Sequence, residues 1–261
     1  MNRLLIDMDK LGCATLTLNN PEQHNAFDDQ MITELTTALL KLRENPQVRV
    51  ILLAANGRSF SAGADLNWMR RMADYSQQEN IQDAVALAEL MRTLNEMPQP
   101  TIALVQGAAF GGGVGLIAAC DIAIASERSS FCLSEVRLGL IPAVISPYVL
   151  MAIGQRQARR YFLTAERFSA AEALRIGLVH QLCAEAELVE TATVLCRQLL
   201  QNGPQALSEA KRLIREVSGR SVDAELIELT AARIAAIRAS AEGREGLSAF
   251  LAKQQPSWFK E

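Results

Sequence analysis

Five glycines fall within residues 106–115, Gln-Gly-Ala-Ala-Phe-Gly-Gly-Gly-Val-Gly. Apolar runs flank them, residues 101–105 before and residues 116–120 after. A strand that passes through glycines into a buried helix leaves backbone N–H groups unpaired at the helix N-terminus, where the helix dipole also favours negative charge. Glycine equally serves close packing of helix against strand, so the segment taken alone supports either reading. Two common anion motifs do not fit. A phosphate loop of the Walker type ends in Gly-Lys-Ser/Thr, and here Gly115 is followed by Leu116. A dinucleotide fingerprint needs a third glycine beyond Gly113-Val114-Gly115, and residues 116–118 are Leu-Ile-Ala.

With 261 residues, 49% of them apolar, the chain can form one large domain or one domain with a small extension. Its net charge of −3 offers no basic excess for nucleic acid. Charges interrupt every apolar run before it reaches bilayer length. Asp7 interrupts the first apolar run, so the N-terminus does not read as a targeting peptide. The five cysteines, Cys13, Cys120, Cys132, Cys183 and Cys196, form no CxxC pair and sit in apolar settings. They are expected as buried free thiols in a reducing, cytoplasmic compartment. His24 and His180 lack ligand spacing, and no metal site is expected.

Residues 4–8, 13–18, 48–55, 101–105, 121–125 and 178–182 read as strands. Asp28 is a candidate N-cap for a helix to about Arg43, and residues 81–97 carry a helical period stopped by Pro98 and Pro100. The polar, Met-rich residues 67–80 suggest a short helix and a mobile loop. From Ser146 onward helical patterns dominate. Strands alternating with helices over the first two thirds indicate an α/β fold. The division expected is a core with the active site over residues 1–195 and a helical subdomain, an oligomer contact, over residues 196–261.

A second small-residue segment, residues 60–66 (Phe-Ser-Ala-Gly-Ala-Asp-Leu), also follows a buried strand. Two strand ends that each expose backbone N–H groups can converge on one oxygen as an oxyanion hole, each donor contributing about 3 kcal/mol to a transition state. Glu135 is the prominent acid, flanked by Phe131, Leu133, Val136, Leu138 and Ile141. A partly buried carboxylate has a raised pKa and serves as a general acid or base near neutrality. An ion pair with Arg137 or Arg128 is the structural alternative.

These residues together resemble the crotonase (enoyl-CoA hydratase/isomerase) superfamily almost end to end. The matching pieces are residues 18–21 with 25–27, residues 60–66, 106–113, 120–125 and 131–142, then residues 168–173 with 177–179, in the family's order and spacing. The resemblance implies a crotonase-like spiral of ββα units with a C-terminal helical trimerisation subdomain, and homotrimers or homohexamers. It implies an acyl-CoA thioester substrate whose enolate oxygen is the bound anion, with CoA part of the substrate and no separate cofactor. On the family pattern Ala64 and Gly112 donate the oxyanion N–H groups and Glu135 is the catalytic acid. Gln23, His24, Ala26, Ala62, Asp65 and Leu66 correspond to substrate and CoA contacts. Phe250 and Lys253 would reach a neighbouring subunit's CoA.

Gly115 departs from the two-glutamate hydratases of the family, which carry a second acid at that position. A single glutamate is also the pattern of enoyl-CoA isomerases, and a non-catalytic acyl-CoA-binding protein is a further alternative. A narrower resemblance, over residues 64–73 and 131–147, is to the bacterial methylglutaconyl-CoA hydratases of leucine degradation. It implies hydration of 3-methylglutaconyl-CoA. The free carboxylate of that substrate makes Arg70, Arg71 and Arg137 candidate partners, while Trp68 and Met69 either line the acyl pocket or pack.

Overall fold

A computed structural model describes residues 2–259; residue 1 and residues 260–261, the outermost ends of the expected division, lie outside them. The strands are β1 (Leu4–Met8), β2 (Cys13–Leu18), β3 (Val50–Ala55), β4 (Ser59–Ser61), β5 (Thr101–Val105), β6 (Ala108–Phe110), β7 (Ile122–Ser126), β8 (Ser130–Cys132), β9 (Phe168–Ser169) and β10 (Gln181–Cys183). The helices are α1 (Asp29–Glu44), α2 (Leu66–Met72), α3 (Gln77–Asn95), α4 (Gly112–Ala119), α5 (Ser146–Thr164), α6 (Ala170–Ile176), α7 (Leu188–Leu200), α8 (Pro204–Val217), α9 (Ala224–Ala239) and α10 (Ala241–Ala252).

Six strands form the main sheet in the order β1-β2-β3-β5-β7-β10, parallel except for β1. Its apolar runs are continuous because both faces are covered. Ile51, Leu53, Ala103, Val105, Ala123 and Ala125 point into the larger core, shared with α1, α3, α4 and α5. Their alternates Val50, Ile102, Leu104 and Ile124 meet Leu188, Ala192, Cys196 and Leu200 of α7. All five cysteines are free and buried.

A second sheet of four short strands, β4-β6-β8-β9, was not expected from the sequence. Strands of two or three residues show no readable period. Three successive β-strand pairs, β3–β4, β5–β6 and β7–β8, each send one strand to each sheet. That repeat is the spiral of ββα units.

Residues 67–80 are more helical than expected. Asp65 caps α2 by accepting from Asn67 and Trp68 N–H. A capping box between Ser76 and Glu79 starts α3 at Gln77, four residues ahead of the apolar period. The expected strand at 178–182 is β10 at Gln181–Cys183. Gly177 takes φ 87° to end α6, and Leu178 and Val179 then pack as buried chain rather than as strand.

Helix α7 crosses the expected 195/196 division, with Cys196 and Leu200 inside the core. Helices α8–α10 attach at the amino ends of the parallel strands. Lys211 Nζ lies 2.5 Å from Asp121 Oδ2, just ahead of β7, and donates to Gln99 O, ahead of β5. Arg49, just ahead of β3, donates to Asn202 O at 3.0 Å. No helix among the described residues is long and apolar enough to cross a membrane.

Candidate active site

The small sheet aligns the candidate groups. β4, β6 and β8 run parallel, pairing Ser61 with Ala109 and Phe110 with Cys132. Neighbouring strands lie about 4.8 Å apart. Ala64 follows the end of β4, Gly112 follows β6 and Glu135 follows β8, so the three repeats each deliver one group to the same sheet edge. Ligands of open parallel sheets commonly lie beyond the carboxyl ends of the strands, where these groups stand.

Ala64 is held by its neighbours. Phe27 N–H donates to Gly63 O and Asp65 N–H donates to Phe27 O, both at 2.7 Å, forming a parallel bridge between Phe27 and Ala64. The Ala64 N–H has no acceptor among the described residues. Gly112 is the first residue of α4, so its N–H has no intrahelical acceptor. Gly111, with φ 49°, turns the chain into that helix. A β-carbon on Gly63 would lie 3.2 Å from Phe110 O and 4.0 Å from Gly111 N, so the two glycine segments are in contact.

Glu135 opens a 3-10 turn ended by Gly139 in the left-handed region. A β-carbon on Gly111 would lie 3.2 Å from Glu135 Oε1, which places the carboxylate against the glycine loop. Oε2 is buried without a hydrogen-bond partner. No ion pair to Arg128 or Arg137 forms among the described residues. Burial raises the carboxyl's pKa, opposed in part by a hydrogen bond from the residue's own backbone N–H. A carboxyl with its pKa raised in this way is the kind of group that serves general acid–base catalysis.

Gly115 faces no vacancy. A β-carbon there would lie 2.2 Å from Ile145 Cγ2, 2.9 Å from Ile145 Cβ and 3.2 Å from Met91 Cε. The place of a second acid is thus filled by apolar side chains from α3 and from the residue preceding α5.

Gln23 and His24 are exposed on the loop before α1, and Ala26 beside them is buried. Ala62 N–H donates to His24 O at 2.9 Å, which joins that loop to the Ala62–Leu66 segment. Ala62 and Leu66 are exposed and Asp65 is occupied as the α2 cap. His24 Nδ1 shares a hydrogen bond with Ser59 Oγ. Phe250 and Lys253 are not brought to this site. They lie in and just after α10, within the helices anchored at the opposite ends of the strands, and Phe250 is 79% exposed. Trp68 is buried in the main core and donates Nε1–H to Asp83 at 3.2 Å. Missed from the sequence were Ile145 and Met91, whose part depends on α3 and α5 closing over α4.

The two glycine segments, with the free N–H groups of Ala64 and Gly112, and the Glu135 carboxyl thus meet at one place in the fold. Residues 9–261 match the family model described as enoyl-CoA hydratase/isomerase, and the chain belongs to that family. It superposes on an enoyl-CoA hydratase from Shewanella pealeana with a TM-score of 0.96 and 49% identity, covering 98% of this chain and 96% of the other. It is 33% identical to the 1,2-epoxyphenylacetyl-CoA isomerase of Escherichia coli over 262 residues, 99% of this chain and 98% of that one. It is also 33% identical to the hydroxycinnamoyl-CoA hydratase-lyase of Pseudomonas fluorescens over 204 residues, 77% of this chain and 74% of that one.

Proposed function

We propose that the protein adds water across the double bond of a 2-enoyl-CoA, with 3-methylglutaconyl-CoA the acyl group its subgroup resemblance favours. The thioester oxygen accepts from Ala64 and Gly112 N–H. Glu135 orients water, takes its proton as oxygen adds to C3, and returns a proton to C2 of the enolate. Gln23, His24, Ala26, Ala62, Asp65 and Leu66 hold the acyl-CoA, and no separate cofactor is involved. The observation that carries this reading is the buried, partnerless Glu135 Oε2 set against the glycine loop. Exposed apolar residues on α9 and α10, among them Ile227, Ile234, Leu247 and Phe250, support a homotrimer or homohexamer in which Phe250 and Lys253 serve a neighbour's CoA.

Replacing Glu135 by Gln removes the proton carrier and keeps the shape. General acid–base catalysis is worth roughly 10²–10⁴-fold, so turnover falls by that order while CoA binding persists. Unchanged turnover would overturn the role.

A second reading has one observation in its favour. With the place of a second acid filled at Gly115, one carboxyl could shuttle a proton between C2 and C4 as an isomerase. A panel of 3-methylglutaconyl-CoA, crotonyl-CoA and a 3-enoyl-CoA separates the two. Rapid isomerisation with no water addition to either 2-enoyl-CoA would replace hydration as the conclusion.

A further inference from the structure

Both donors rest on one short segment of the loop ahead of α1. Asn25 is 1% exposed, yet its side chain is well satisfied. Nδ2 donates to Asn56 O and Ser59 O, each at 2.9 Å, and Oδ1 accepts from Asn20 N–H at 2.8 Å. Its φ of 52° lies in the left-handed region that Asn tolerates better than most residues. These bonds pin the segment to the turn between β3 and β4, from which the Ala64 arm emerges. Phe27 follows two residues later. Its backbone clamps Gly63 and Asp65 on either side of Ala64. Its ring, buried, lies under the other donor, because a β-carbon on Gly112 would sit 3.1 Å from both Cδ2 and Cε2.

We infer that the Asn25–Phe27 segment is a strut that sets the spacing and aim of the two oxyanion donors, with Phe27 the positioning residue that touches both arms. The inference rests on the oxyanion reading of Ala64 and Gly112. Phe27 acts through backbone and packing, so its loss alters the transition state more than the ground state. A shift of about 1 Å in such a group costs on the order of 100-fold in rate.

The test uses a para-dimethylaminocinnamoyl-CoA probe, whose absorption moves to longer wavelength when its carbonyl is polarised. The wild-type protein red-shifts the bound probe. Phe27→Leu, shown folded by its thermal transition, binds the probe with a smaller red shift. Its kcat falls about 10- to 100-fold with KM changed by less than about threefold, the split expected for lost transition-state stabilisation. Adding Gly112→Ala to Phe27→Leu refills the space left by the ring and restores part of the shift. Asn25→Ala, which unpins the segment without touching the ring, gives the same direction and serves if Phe27→Leu does not fold. A folded Phe27→Leu or Asn25→Ala with wild-type red shift and kcat overturns the strut. A wild-type protein that binds the probe with no red shift overturns the oxyanion reading itself, and the strut with it.

Discussion

In an unhindered helix interior, replacing Gly by Ala stabilises a protein by about 1 kcal/mol. Gly115→Ala in α4 is expected to do the opposite. The new β-carbon would lie 2.2 Å from Ile145 Cγ2 and 2.9 Å from Ile145 Cβ. Carbon atoms settle about 3.5–4.0 Å apart, so the contact must open by roughly 1 Å or more. Rotating Ile145 about χ1 moves Cγ2 but leaves its Cβ too near, so α4 and the start of α5 have to part. Ile145 is 3% exposed and Met91 fully buried, so neither side chain can swing out into solvent. Overpacking costs about 1–3 kcal/mol, and with two contacts this short the upper part of that range applies, so after the helix gain is subtracted a net loss of about 1–2 kcal/mol remains. Thermal and urea unfolding at fixed protein concentration would show it as a fall of several degrees, at about 2–4 °C per kcal/mol. Ile145→Ala alone loses about 2–5 kcal/mol through the cavity it leaves, and Gly115→Ala added to it should partly refill that cavity. The cycle then shows a favourable coupling of about 1–3 kcal/mol. A Gly115→Ala protein as stable as wild type, or strictly additive values in the cycle, would refute the filled-site argument. So would a Gly115→Glu protein that keeps wild-type stability and gains hydratase activity.

The pH dependence of kcat/KM should show an acid limb displaced above the ordinary glutamate value of 4.5, because burial raises Glu135 and the base must be ionised. The stability sign follows: with its folded pKa raised, ionisation of Glu135 opposes folding, so wild type loses stability relative to Glu135→Gln as pH rises from the unfolded carboxyl's pKa through the folded one. Denaturation curves that run parallel for the two proteins across that range would contradict it. Lys211→Met breaks a mostly buried pair with Asp121 Oδ2, which also accepts from Thr101 N–H and Oγ1. Such a loss costs about 3–5 kcal/mol when fully buried, less here because Asp121 keeps some exposure, and hydrogen exchange in α8–α10 should quicken. Unaltered exchange and stability would show that the pair does not anchor those helices. Among the three candidate cations, Arg71 is paired with Asp29 and Arg70 donates to Asn67 Oδ1, whereas the Arg137 side chain has neither an ion pair nor a hydrogen bond among the described residues. Arg137→Gln should therefore raise KM about tenfold for 3-methylglutaconyl-CoA and leave crotonyl-CoA unaffected, since a charge-assisted hydrogen bond contributes about 1.5–3 kcal/mol. Equal effects on both substrates would remove Arg137 as a specificity residue.

What could be read in advance was whatever has a local signature. β1 and β2 lie over the expected residues, and Asp28 caps α1 through Met31 N–H, because strand alternation and N-cap chemistry depend on near neighbours. The two glycine-rich segments and Glu135 could be singled out because small-residue turns after buried strands, and an acid in an apolar run, are visible as composition; Ala64 and Gly112 within those segments were marked by the family resemblance. The small sheet that aligns them was not visible, since β4, β6, β8 and β9 have two or three residues each and exist only as partners of one another. The same holds for Gly115: its missing side chain was legible, but Ile145 and Met91 filling the space is a fact of α3 and α5 packing on α4. Phe27 stood in a matching motif, yet nothing local says that its ring lies under Gly112.

The filled position at Gly115 and the unsatisfied Glu135 Oε2 bear on the same mechanistic question, how a single acid could serve both proton transfers of the proposed hydration. A concerted addition needs a base at the water and an acid at C2 together. A stepwise addition does not, provided the enolate survives long enough for one carboxyl to receive a proton and pass it on. Two N–H donors at about 3 kcal/mol each give such an enolate its lifetime. In the proposed reaction the demand for a second acid is therefore relieved by the strength of the oxyanion hole, and that strength depends on the spacing of Ala64 and Gly112. On this argument a chain with glycine at 115 should be more sensitive to disturbance of Phe27 than one carrying two acids. In the proposed reaction the carboxyl that takes the proton from water also returns one to C2, so oxygen and hydrogen must add to the same face of the double bond.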